Sequence, residues 1–450
     1  MNMRQMKSIR LDGGSPEEKR AEIRRYFHQS FDLFESLFKL FRSDEVFYKQ
    51  PEPTRHPMIF YFGHTAVFYI NKLVLSGVLQ EGIDPRFEAL FAVGVDEMVW
   101  DDMNAHFEGF GVDTVREYRK AVRKRVDELI GQMPLVLPIT QADPFWAVLM
   151  GCEHERIHIE TSSVLHRQMP LEFIKEHSDF SLCPLRGDGL ENGMVPISGT
   201  TIVLGKGEND DGLYGWDNEY GTATYEVDDF EASLYLVSNG EYLDFVNANG
   251  YGTQRWWDEE GLRYLSLRKA VCPPFWVAKE DGSYAYRSLT QEIPMPYNWP
   301  VEVNALEAQA FCRWKSAQEG REYRLPTEAE YGVLLQANGI TGDIFEDSTA
   351  NLNLAHFASS VPVDTFFHGK VYDAVGNVWQ WTSSPMDGFE GFKTHPLYDD
   401  FSTPTFDTKH NIIKGGSWIS TGNEIVRASR YAFRRHFIQH AGFRYVANCG

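Results

Sequence analysis

The sequence predicts a two-part chain of class α plus α+β, with a helical bundle over residues 1–180, a linker over 181–194 and an α+β domain over 195–450. Three observations carry this. Before residue 180, long runs repeat apolar residues at helical intervals. Beyond residue 200 lie nine of the eleven tryptophans, in short segments punctuated by glycine. Between the two, Pro184 and three glycines interrupt both patterns, as a linker would.

In chain order, Pro16 to Phe41, Met58 to Leu79, Asp84 to Met103, Val112 to Ile130 and Pro144 to Met169 read as helices with short connections. That is the grammar of a bundle, whose interior can hold a metal site built from facing helices. In the second half Thr200 to Leu204 reads as a strand. Gly376 to Trp381 and Lys414 to Trp418 are too short and too rich in glycine for a regular sandwich, which predicts packed irregular loops. The clearest helices there are Asn304 to Gln318 and one opening at Thr327, where Glu330 three residues on completes a capping-box pattern.

At 450 residues, 43% hydrophobic and 14% aromatic, the chain is long and apolar enough for two or three domains with cores. A formal charge of -21 without a long basic run argues against a nucleic-acid surface and favours small-molecule or protein partners. The first twenty residues lack the apolar segment of a signal peptide, and no uninterrupted apolar stretch approaches twenty residues, so no membrane attachment and a cytoplasmic location are expected. Five cysteines without CxxC spacing speak for reduced thiols and against a zinc ribbon.

The run His154-Glu155-Arg156-Ile157-His158-Ile159-Glu160 places two imidazoles one helical turn apart, able to face one metal ion. With 14 histidines in the chain, chance alone supplies roughly 0.4 such pairs, so the spacing needs its setting. That setting is an amphipathic helix opening at Asp143-Pro144, with both histidines on one stripe. Glu160 lies about 200° around from His158 and is not expected to join the same site. The third ligand must come from elsewhere, and His64, alone among apolar residues near the start of another helix, is the best candidate. Cys152 reads as core packing. His436 and His440 repeat the spacing, but adjacent arginines and a non-helical setting disfavour a dication there.

The same run spells His-Glu-x-x-His, which would make Glu155 a general base on zinc-bound water. Thr161 and Val164 occupy the positions where one zinc-protease class places its Gly and third His. Glu172 or Glu176 remains as a conceivable alternative ligand, though His64 and the whole second half would then go unexplained. A metal-stabilised binding protein without turnover is a further rival.

The second half resembles the formylglycine-generating-enzyme-like (sulfatase-modifying-factor, C-type-lectin-like) domain. The resemblance rests on Gly215-Trp216-Asp217-Asn218-Glu219, Val237-Ser238-Asn239-Gly240-Glu241-Tyr242, Arg324-Leu325-Pro326-Thr327-Glu328-Ala329-Glu330, Gly376-Asn377-Val378-Trp379-Gln380-Trp381, Gly415-Gly416-Ser417-Trp418 and Ala441-Gly442-Phe443-Arg444. The first half resembles a DinB-type bundle carrying a His…His-x3-His-x-Glu signature. Together they resemble the nonheme iron sulfoxide synthases of thiol-histidine biosynthesis, in their ergothioneine and ovothiol branches. Formylglycine formation itself is not expected, because Ser417 to Arg430 contains no cysteine.

The resemblance implies iron(II) held by His64, His154 and His158, with O2 as co-substrate. It is strongest to the ovothiol-type 5-histidylcysteine sulfoxide synthase, through Gly63-His64-Thr65-Ala66-Val67-Phe68 and the wording after His154. Ile157 and Tyr431-Ala432 stand where ergothioneine-type enzymes commonly have Gln and Trp-Asp. Histidine and cysteine are then the expected substrates, with an ergothioneine-type acceptor, a selenium donor or another thiol as alternatives. A methyltransferase and a C–S lyase would be separate partners in the pathway. The family's active-site tyrosine maps onto Tyr398, and Phe401 stands where the ergothioneine branch can have a second tyrosine. Two amino-acid substrates bring carboxylates, so the cluster Arg430, Tyr431, Arg434 and Arg435 is the expected substrate-binding element.

Overall fold

A computed structural model describes residues 7–92, 109–207, 210 and 212–449. The first half is built on α1 (Pro16–Phe38), α2 (Met58–Leu75), the short α3 (Pro85–Phe91), α4 (Val112–Gln132) and α5 (Pro144–Gln168). Helix starts follow local chemistry. Ser15 and Glu18 close a capping box ahead of Pro16, and the Asp143 side chain accepts from the Phe145 amide with Pro144 in the first turn. Two expected ends ran three or four residues long because the apolar pattern outlasts the helix: Leu40, Phe41 and Leu79 are buried from non-helical backbone. Of the helix expected over 84–103, Pro85–Phe91 is helical, and residues 93–103 lie outside the described residues.

Helix α2 is apolar nearly all round, and every residue from Met58 to Ile70 is buried, as a helix enclosed by others must be. It is long and apolar enough to cross a membrane by composition, yet 78% of it is buried inside the protein. It packs on α4 and α5, and α1 closes the bundle against α4 and α5.

The second half has short strands: β1 (Met194–Ile197), β2 (Thr200–Lys206), β3 (Gly221–Val227), β4 (Phe230–Ser233), β5 (Trp276–Ala278), β6 (Tyr284–Arg287), β7 (Glu292–Pro294), β8 (Trp379–Pro385), β9 (His410–Lys414), β10 (Tyr431–Arg434), β11 (Ala441–Gly442) and β12 (Val446–Asn448). They form sheets of order β1-β4-β12, β10-β9-β8-β11, β2-β3 and β5-β6-β7. In the four-stranded sheet Tyr431 pairs with Ile413, and the β8–β9 register shifts between Trp381 and Pro385. The long connection from β8 to β9 carries Tyr398 and Phe401. Four helices accompany the sheets, α6 (Asn239–Asn247), α7 (Glu259–Arg268), α8 (Ala305–Glu319) and α9 (Glu328–Ala337), the last two close to expectation.

Residues 181–193 contain neither helix nor strand, but they are pinned rather than free. The Cys183 amide donates to Ser359 Oγ, the Gly187 amide to Asn298 Oδ1, and Asn192 Nδ2 to Glu241. The two halves also share one core, which runs from Tyr26 and Phe27 through Trp146 to Trp216, Trp299 and Trp381. Helix α5 is the element common to both.

Candidate metal centre

His64 on α2 meets His154 and His158 on α5, with one donor atom from each lying within 4.8 Å of the others. Ring centroids are 5.1, 4.9 and 4.5 Å apart for the pairs 64–154, 64–158 and 154–158. All three are buried. The Phe91 carbonyl can only accept, so His64 Nδ1 donates to it at 2.7 Å, which leaves the Nε2 lone pair for a ligand. Nδ1 of His154 and of His158 is buried without a hydrogen-bond partner. Phe68 stacks on the His154 ring at 3.6 Å, and Phe60 lies against His64 at 5.0 Å.

Burial pushes the His64 pKa down to about 4, against the Phe91 hydrogen bond and with help from the Lys72 charge. Burial likewise drives His154 and His158 well below the usual imidazole range, and their neighbouring imidazoles add to it. Three buried, neutral imidazoles with lone pairs are a fitting donor set for a borderline cation such as iron(II) or zinc. Among the described residues this is the one cluster of three or more such donors close enough to hold an ion.

The other face of α5 does different work. Glu160 accepts from Trp379 Nε1 at 2.6 Å and from the hydroxyls of Ser417 and Ser420. Glu153 accepts from Tyr26 and the Asn423 amide, and Arg156 donates to Thr421. Arg167 pairs with Glu302 and donates to the Arg287 carbonyl. Helical geometry thus sends His154 and His158 to one side and the carboxylate of the motif's end to the other.

Glu155, the general base of a zinc-protease reading, points away from the histidines. Its carboxylate is held by Arg119 at 3.0 Å, Thr65 at 3.2 Å and Tyr69 at 3.2 Å. Glu172 and Glu176 are exposed. Cys152 is buried, and burial pushes its thiol up to about 12. His440 is engaged by Ser163, Arg167 and Glu302, and no metal pair forms with His436.

A cavity of about 120 Å³ opens beside His154 and His158, with Tyr398, Phe401 and Phe433 in its walls. The Tyr398 ring lies 6.3 Å from His154 and 5.1 Å from Phe68. Lys72, two turns along α2 from His64, sits 4.0 Å over the Tyr398 ring, a cation–π arrangement. Phe401 stacks on Trp216 at 4.1 Å.

The expected arginine cluster does not line this cavity. Arg430 is buried in a bidentate pair with Glu328, donates to the Asn218 and Asp387 carbonyls and lies over Phe389. Arg434 faces Asp407, while Arg435 binds Asn411 and Glu260. Tyr431 is buried between Trp216 and Asn423. Strand alternation sends Phe433, not Arg434, to the cavity, and Arg435, past the end of the strand, is drawn off by Asn411 and Glu260. The cations that do line the cavity are Arg55 and Arg268, joined by Glu52, Thr54, Thr161 and Gln168. Thr161, Leu165 and Gln168 follow His154 and His158 at helical intervals, so periodicity alone would have found them.

The sulfatase-modifying factor enzyme 1-like domain model matches residues 185–449, more than half the chain, and the DinB superfamily model matches residues 26–162. A protein named hercynine oxygenase from Mycolicibacterium thermoresistibile is 27% identical over 443 residues, covering 91% of this chain and 90% of that one. A second, from Mycolicibacterium smegmatis, is 26% identical, covering 83% of this chain and 87% of its own length. Ergothioneine biosynthesis protein 1 of Schizosaccharomyces pombe is 26% identical across 91% of this chain, which spans 53% of that protein. With its bundle and its loop-rich second half both accounted for, the chain belongs to the sulfatase-modifying factor enzyme 1-like domain family, with a DinB superfamily helical domain ahead of that domain.

Proposed function

We propose that this chain is an iron(II)- and O2-dependent oxidoreductase, a sulfoxide synthase that couples a thiol to the imidazole ring of histidine or a histidine derivative. The observation that carries the reading is the buried, neutral set His64, His154 and His158, open on one side to a cavity walled by both domains. The names of its relatives in hercynine and ergothioneine chemistry support the same reaction class. Bound iron(II) would supply the redox centre at which thiol, imidazole and O2 meet.

The reaction balances without another reductant. The thiol S–H and the imidazole C–H are lost, a C–S bond and an S–O bond form, and water leaves with the second oxygen atom. Making the C–S bond releases two electrons, oxidising sulfur releases two more, and O2 takes all four. The chain's own residues hold and shield the reactants: Phe401 and Phe433 limit water, and the Tyr398 phenol, facing the same cavity, is the proton or hydrogen donor.

For the acceptor we infer free histidine, with cysteine as donor. The support is the wording around His64 and His154 and the apolar Ile157 in the cavity wall, where the ergothioneine branch commonly has Gln. The relatives' names favour a second reading, in which the acceptor is hercynine, the trimethylated betaine of histidine. Anaerobic loading with iron(II), then air with cysteine and either acceptor, separates them by product mass. An adduct with one extra oxygen from histidine supports the first reading, and one from hercynine alone supports the second. No adduct from either overturns the sulfoxide-synthase reading.

A further inference from the structure

The histidine cavity shares Glu52, Thr54 and Arg268 with a second, outer cavity of about 980 Å³. The outer space is lined by charges of both signs, Asp258, Glu259, Glu260 and Arg263 on one side and Lys409, Arg434, Arg435 and His436 on the other, so two of the three arginines expected at the iron, Arg434 and Arg435, stand one wall further out. The wall itself is an ion pair between the halves of the chain. Glu52, in the loop before α2, meets Arg268, the last residue of α7, at 2.5 Å.

The two partners are held unequally. One Glu52 oxygen is fixed by the Thr54 amide at 2.8 Å and by the Thr54 hydroxyl, while the other faces Arg268. The Glu52 side chain is 7% exposed and that of Arg268 34%. The carboxylate is therefore anchored, and the guanidinium is the partner with solvent on one side. The other charged side chains in the inner cavity are Arg55, laid over the Phe437 ring at 4.6 Å, and Asp400.

We propose that Glu52 and Arg268 form the receptor for the α-ammonium and α-carboxylate of an amino-acid substrate whose side chain reaches the three histidines. This rests on the reading of the site as one that uses amino acids. A free amino acid is a zwitterion at neutral pH, and desolvating both charges is costly unless each finds a partner. A carboxylate and a guanidinium that open from one another offer a partner to each: one ion pair becomes two, and no charge is left alone. The guanidinium fork matches a carboxylate in two hydrogen bonds, and the Glu52 oxygen that faces Arg268 accepts from an ammonium N–H once the pair opens, while Thr54 holds the other oxygen. Glu52 and Arg268 line the same inner cavity as His154 and His158, so a side chain extended from this wall points into the space beside the histidines. A trimethylated nitrogen has no N–H to give Glu52, so the same pair discriminates between the two acceptors.

The test is calorimetric titration, without oxygen, of the iron(II)-loaded protein with histidine, imidazole-4-propionate and histamine, and with cysteine, 3-mercaptopropionate and cysteamine. In at least one series the wild type should prefer the zwitterion by about tenfold or more, the size of a lost charge-assisted hydrogen bond. Glu52→Gln should erase the preference for the amine, and Arg268→Gln the preference for the carboxylate. Because a single change leaves one charge unpaired, the double variant Glu52→Gln/Arg268→Gln secures the result if a single variant does not fold, and it should lose both preferences. Preferences that survive in both series overturn the proposal, whatever happens to thermal stability. So does a wild type that binds neither zwitterion. Binding needs no turnover, so failure here is distinguishable from failure to form an adduct.

Discussion

On one face of α5, His154 and His158 keep ring nitrogens with no hydrogen-bond partner, while on the other Glu153, Arg156, Glu160 and Arg167 are engaged across the boundary between the two halves. Both faces are buried, and a buried polar atom without a partner costs free energy. Those four engaged side chains leave only donor nitrogens over, Nε and Nη2 of Arg156, whereas the other face leaves imidazole lone pairs open side by side, as a face arranged for a bound cation would. The engaged face teaches the complementary point: the helix that carries His154 and His158 is fixed by residues of the second domain, so the geometry of the candidate metal centre depends on both halves.

The comparison breaks most completely at the ligands. His158→Ala should lose iron and all turnover while the metal-free protein keeps its circular dichroism; normal iron content in the variant would remove His158 from the ligand set. On the satisfied face, Arg167→Met should cost about 3–5 kcal/mol at neutral pH, because it strands Glu302 in the interior. Burial alone would raise the Glu302 carboxyl, but Arg167 and His440 hold it down at about 2. A carboxyl lowered in this way stabilises the fold above its unfolded value of about 4.3, and that contribution is lost as pH falls through about 2. The stability gap between wild type and variant should therefore be largest at neutral pH and narrow as pH falls, first as the stranded Glu302 of the variant takes up a proton and then toward pH 2 as the wild-type carboxyl does, as read by denaturant midpoints; a gap independent of pH would contradict the pairing.

Smaller effects sharpen the contrast. Glu160→Ala leaves Trp379 Nε1 and two serine hydroxyls without an acceptor and should cost about 2–3 kcal/mol, yet the folded protein should still bind iron. Glu155→Gln should cost about 1–2 kcal/mol through its Arg119 contact and leave turnover in place. Turnover abolished in a stably folded Glu155→Gln protein would revive the zinc-hydrolase reading. Tyr398→Phe should move stability by no more than about 0.5 kcal/mol, retain iron and shift product toward the sulfinic acid of the thiol. An unchanged product ratio would show that another group delivers the proton or hydrogen.

Much of this site was legible in the sequence because it lies on helices. A period of 3.6 places His154 and His158 together and sends Glu160 away, and carried further along the helix it would also have given the wall residues Thr161, Leu165 and Gln168, which the sequence reading left out. His64 needed the bundle to bring it within reach, and its isolation among apolar residues was the usable signal. The arginine cluster misled for a physical reason. A dense basic run says nothing about direction, and in β10 alternate residues point to opposite sides, so Phe433 reaches the cavity and Arg434 does not. The receptor pair Glu52 and Arg268 could not be read at all, since it joins a loop to a helix end 216 positions further on across two domains. Helices α6 and α7, with nine and ten residues, were too short for periodicity to declare them. Their caps were visible, because Ser238 and Asp258 accept from amides three residues on, as capping residues do.

The most direct test of the account is anaerobic iron(II) titration of the wild type beside His64→Ala, His154→Ala and His158→Ala, with metal content measured after gel filtration. The account predicts one tightly held iron per wild-type chain and loss of that iron in every variant that keeps its fold. Stoichiometric iron in any one of the three folded variants, or none in the wild type, would contradict it.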